Sequence, residues 1–206
     1  MAIVLDGTSG ATLPVPLAVA QGGTGSTTLT LTSPVIAGTP TGVGVLTSGT
    51  AVASTSGTSI DFTSIPSWAK RITVMFNGVS TNGTSPVRIQ IGSGSVETSG
   101  YIGGSIYIST SGGVGGTNIA TLGAGFDIQD GADGTATTRQ GANVLSLLGS
   151  NAWVMVSNVA IFNGSLIRCI ATNGSKTTSG ALDRVRITTI NGTDVFDAGS
   201  INILYE

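Results

Sequence analysis

Arg-Ile-Thr-Val-Met-Phe, residues 71–76, and Val-Arg-Ile-Gln-Ile, residues 87–91, decide the fold class. In the first, Ile72, Val74 and Phe76 share one side of an extended chain; in the second, Val87, Ile89 and Ile91 do so against Arg88 and Gln90. Successive side chains leave a strand on opposite faces, so this alternation marks half-buried strands. The same texture continues in YIGGSIYIS (101–109), GAGFDIQ (123–129), NVLSLL (143–148), AWVMVSNVAIF (152–162), SLIRCIAT (165–172), LDRVRITTI (182–190) and SINILY (200–205). About nine strands with no helical period between them predict an all-β fold, an antiparallel β-sandwich of jelly-roll-like type. Asn-Gly pairs at Asn77, Asn82, Asn163, Asn173 and Asn191 tolerate the positive φ of tight turns, and Asn163–Gly164 is the expected hairpin between the two strands that flank it.

Composition agrees. Glycine is 32 of 206 residues, charged residues are only 9%, and the polar complement is largely Ser and Thr. β-Branched residues suit pleated strands and glycine suits turns, whereas long helices draw on Ala, Leu, Glu and Lys. With so little charge and a mean hydropathy of +0.38, a free monomer has weak electrostatic protection against association. Much of the surface is therefore expected to be covered by neighbours.

Residues 1–50 read differently. Gly7, Gly10, Pro14, Pro16, Pro34 and Pro40 punctuate them, and no alternation is sustained. They are expected to form an extended N-terminal arm for attachment and trimerisation, with residues 51–206 as the head domain. In the arm, Gly22, Gly23 and Gly25 allow backbones to crowd at a threefold axis, and Thr28, Thr30 and Leu31 can pair across chains as short strands. The segment ATLPVPLAVAQ imitates a secretory leader ending at Ala20, but no Lys or Arg precedes it and Pro14 and Pro16 interrupt it, so it is assigned to the arm. No apolar run reaches the ~18 residues needed to span a bilayer, so no membrane insertion is expected.

Several chemistries are excluded or disfavoured. Histidine is absent, which removes Ser-His-Asp and Cys-His relays and imidazole metal sites. Asp127, Asp130 and Asp133 are spaced by three without a distal Glu, unlike a calcium loop, and read as a polar turn. The tracts GGTGST and GGVGGT complete neither phosphate-binding pattern. Eight scattered basic residues and a net charge of −2 offer no phosphate-neutralising stripe, so nucleic acid is not an expected partner. No catalytic residue, metal or cofactor is assigned. Cys169, the single cysteine, reads as a small buried residue, and Trp68 as a plug at one end of the sandwich. Tyr101 and Tyr107 are the candidates for an exposed binding patch.

The stretch SIDFTSIPSWAKRITVMFNGVSTNGTSPVRIQIGSGSVETSGY, the tract GSNAWVMVS and the ending GSKTTSGALDRVRITTINGTDVFDAGSINILYE closely resemble a C-terminal domain of phage and prophage tail-fibre and related virion proteins. The resemblance covers about residues 57–206 and is most specific in IPSWAKRITVMF and NGTDVFDAGSINILYE; LDGTSGATLP and AQGGTGSTT in the arm also look like segments of such fibres. It implies a β-sandwich head, usually trimeric, at a host- or solvent-facing tip, and it brings no catalytic residues. The expected role is thus a non-enzymatic bacteriophage virion structural protein. The first reading is a short homotrimeric tail fibre or tip binding a host-surface glycan or protein. The alternative is a capsid decoration (cement or head-fibre) protein whose arm holds other virion proteins.

Overall fold

The alternating segments do form strands, and their apolar sides meet between two antiparallel sheets. In the computed structural model, residues 46–109, 123–128, 134–135 and 137–206 are described. The strands are β1 (Thr47–Ser48), β2 (Val52–Ala53), β3 (Ser59–Thr63), β4 (Arg71–Thr81), β5 (Val87–Ser93), β6 (Ser95–Val96), β7 (Tyr101–Ser109), β8 (Phe126–Ile128), β9 (Thr138–Gly149), β10 (Ala152–Phe162), β11 (Ile167–Thr177), β12 (Arg184–Thr189) and β13 (Phe196–Tyr205). The larger sheet runs β1-β13-β4-β9-β10-β11-β7, with β2 also pairing β13. The smaller runs β3-β12-β5-β6, with β8 also pairing β5. All nine strands expected from alternation are present.

The register fixes which residues meet. β4 contributes Ile72, Val74 and Phe76, and β10 contributes Trp153, Met155, Val159 and Ile161. Facing them from the smaller sheet are Ile89 and Ile91 of β5, Val185 and Ile187 of β12, and Phe126 of β8. Burying such a side chain contributes roughly 1.5–3 kcal/mol, so this one core dominates cohesion. Two of its polar members are bonded to each other and to the backbone: Ser157 Oγ donates to Asn143 Oδ1 at 2.7 Å, and Asn143 Nδ2 donates to the Val74 carbonyl at 3.2 Å.

The turn chemistry is less regular than the Asn-Gly count implies. Asn163–Gly164 does sit at the β10–β11 connection, as a four-residue loop in which Leu166 N donates to Asn163 Oδ1 at 3.1 Å. The tight two-residue turn is instead Ser150–Asn151 between β9 and β10, both with positive φ (46° and 65°), as a type I′ turn requires. Asn173–Gly174 is not a turn: it lies within β11, where Gly174 leaves room for the Phe126 ring.

The start of the head also moves. Thr47 and Ser48, assigned above to the arm, pair with Tyr205 and Leu204 of β13, and the compact unit holding the described residues is Gly44–Glu206. Two polar residues carry no alternation, so only the vacant side of β13 reveals their strand character. At the other terminus, Lys70 N and Arg71 N both donate to the Glu206 carbonyl, and Glu206 N donates back to the Arg71 carbonyl.

Candidate interaction surface

Alternation decides which residues reach each outer face, and the two outer faces differ in kind. On the smaller sheet, Arg186 of β12 lies across from Asp61 of β3, with Nε–Oδ1 2.6 Å and Nη2–Oδ2 2.8 Å. Beside it, Arg88 of β5 forms a two-pronged pair with Asp127 of β8, at 2.5 and 3.1 Å. Arg184 closes on Asp183 at 2.7 Å, and the hydrogen bond from Arg184 holds the Asp183 carboxyl below the usual range. This face is charged, with Arg186–Asp61 partly solvated and Arg88–Asp127 buried.

The larger sheet reverses the pattern. β7 turns Ile102, Ile106 and Ile108 outward while Tyr101 and Ser105 point in. β11 turns out Ile167, Cys169 and Ala171, and β10 turns out Val154, Val156 and Phe162. Cys169 lies between Ile108 of β7 and Ala160 of β10 in the register. A groove of about 440 Å³ opens here, bordered by Ile106, Ile108, Gln140, Asn158, Ala160 and Cys169. It contains no charged side chain.

Three sequence readings are corrected by this geometry. Tyr101, proposed as an exposed contact, is 2% exposed: its hydroxyl accepts from Ile91 N at 2.8 Å and lies within bonding distance of the Ile91 and Glu97 carbonyls, and its ring meets Phe126 edge-on at 4.9 Å. Burial pushes its ionisation well above the ordinary value, so it acts as a neutral structural phenol. Cys169 is exposed rather than buried, because Ile170 takes the inward position of β11. Trp68 is 46% exposed, lying 5.8 Å from the Tyr205 ring near the chain's end instead of inside the sandwich. Tyr107 is partly buried, with Arg168 5.4 Å from its ring centre. The tyrosines therefore form no joint patch, and what sequence reasoning missed is the isoleucine face of their own strand.

The remaining candidates separate cleanly. The carboxylate of Asp127 is occupied by Arg88; Asp130 and Asp133 lie outside the described residues, as do Gly22, Gly23, Gly25, Thr28, Thr30 and Leu31. Among the described residues, no three Asp, Glu or Cys side chains gather as metal ligands would.

At the sheet edge, Lys176 Nζ pairs with Glu97 Oε2 at 2.5 Å, while Ser179 donates to Glu97 Oε1 through both its N–H and its hydroxyl. Burial pushes the Glu97 carboxyl up, but the Lys176 and Ser179 hydrogen bonds outweigh it and hold the group below 4.5. A lowered folded value means the bonus to stability is complete above the unfolded value and disappears as pH falls through the folded one. Melting temperature is therefore expected to hold down to about pH 4.5 and to fall below it, with a shallower acid limb in Glu97→Gln. An unchanged acid limb in that variant, followed by circular dichroism, would remove Glu97 from the account.

Comparison with protein-family models, curated proteins and solved structures found no match.

Proposed function

We propose that this chain is a non-enzymatic structural protein of a bacteriophage particle surface, a short trimeric tail fibre or tip whose sandwich head engages the host surface. The observation that carries the reading is how the described ionisable groups are used. Arg71–Glu206, Arg88–Asp127, Lys176–Glu97, Arg184–Asp183 and Arg186–Asp61 neutralise one another as ion pairs within the sandwich. Carboxylates held this way brace strands and termini; they are not poised beside a cavity for proton transfer. The virion assignment itself rests on the likeness of residues 57–206 to fibre head domains.

Image reconstruction of the particle, combined with adsorption competition, tests this. Head density at the tail tip, together with blocking of adsorption by the purified protein, is the expected result. Density distributed over the capsid lattice, with no competition, would replace the tip by the capsid-decoration role. Absence of the chain from the particle would refute both.

A further inference from the structure

We infer that the outer face of β7, β11, β10 and β9 is the surface through which copies of this chain pack against one another. The inference deepens the reading of the chain as a self-associating structural protein and adds to it a defined surface on the head. Its first ground is the inverted polarity of β7, which exposes Ile106 by 50% and Ile108 by 61% while burying Ser105. A strand facing water on its outer side is expected to do the reverse. Its second ground is the placement of charge. The charged residues on these four strands are Arg139, Arg168 and Lys176, and all three fall on the inward alternation, with Tyr101, Ile170 and Leu145. The outward alternation carries none. The smaller sheet, in contrast, places Arg88, Arg184 and Arg186 outward, so scarcity of charge in the chain does not by itself explain the difference.

Chemistry and size then select the occupant. A foreign protein partner is normally distinguished by complementary charge, which this face does not provide, and a glycan needs aromatic platforms, of which it offers only Phe162. Further copies of this chain, their same faces turned to a common threefold axis, bring equally uncharged apolar surface and need neither. Interfaces between identical chains are the more apolar class. Four strands about 4.8 Å apart and 11 residues long at about 3.3 Å each present on the order of 700 Å² of flat area. That is close to the roughly 800 Å² per partner of a stable complex.

Cys169, the only cysteine in the sequence, lies on this face and reports on it directly. The intact chain at micromolar concentration is treated with an aromatic disulfide reagent that detects free thiols, while its mass is followed by light scattering. The expected result is an assembled chain whose Cys169 reacts at least ~10-fold more slowly than in Val156→Lys, a substitution at a half-exposed position that leaves the circular dichroism unchanged. An assembled chain whose Cys169 reacts as fast as unfolded protein overturns this surface and leaves self-association standing. A monomer with reactive Cys169 overturns both. Protection in a monomer would assign the cover to the chain's own arm and also overturn the inference. The comparison of native with unfolded protein decides the matter even if Val156→Lys does not fold.

Discussion

Asp127→Ala is expected to destabilise the head by about 3–5 kcal/mol, the usual consequence of leaving one member of a buried ion pair without its partner. Arg88 and Asp127 face each other across β5 and β8, with side chains only 13% and 7% exposed. The two hydrogen bonds are parallel, so the guanidinium gains both charge and direction from the carboxylate. Arg88 cannot easily swing into water once Asp127 is gone, because the approach of Gly125 encloses its stem: a Cβ there would lie 2.5 Å from Arg88 Cγ. Asp127 also accepts from Thr172 Oγ1 through its carbonyl at 3.2 Å, which ties β8 to the larger sheet and survives the substitution. Asp127→Asn keeps the shape and one acceptor and is expected to cost less than Asp127→Ala. Urea unfolding of the two variants checks this; a loss below ~1 kcal/mol for Asp127→Ala would mean that Arg88 finds solvent without strain.

Gly199→Ala is expected to be about as damaging, at roughly 2–5 kcal/mol, for a purely steric reason. Gly199 has φ 92° and sits where β13 crosses an irregularity in β4. An added Cβ would lie 2.4 Å from the Gly78 carbonyl oxygen and 2.6 Å from Val79 N, backbone atoms that cannot rotate away. The constraint is one-sided: a Cβ on Gly78 would meet nothing closer than the Gly199 Cα, at 3.9 Å. Gly192→Ala separates conformation from collision, since Gly192 has φ 70° with nothing within 4 Å of a Cβ, and only the ~1–2 kcal/mol of left-handed backbone applies there. Equal unfolding midpoints for the two variants would refute the steric account.

These two positions show how much of the head is legible in sequence. The sandwich is readable because Ile72, Val74 and Phe76 of β4 and Val87, Ile89 and Ile91 of β5 recur at every second position and can satisfy only one core. Gly199 is not readable, since its role comes from Gly78, distant in the chain. Ser150–Asn151 escaped as a turn because Asn-Gly is the stronger signal, while Asn173–Gly174 gave that signal inside a strand. The interaction surface was obscured for a different reason. Alternation in β7 divides Ile102, Ile106 and Ile108 from Tyr101, Ser105 and Tyr107, but with tyrosines in the more polar set it does not say which set faces the core. The sequence places Tyr101 on an exposed patch; the Tyr101 bonds to β5 hold it inward.

That arrangement leaves an uncharged isoleucine face outward, the surface inferred above to pack against neighbouring copies. Light scattering on the intact chain across micromolar concentrations addresses self-association most directly. The expected result is a stable species of three chains of 20.4 kDa each; a stable species of one or two chains would contradict it.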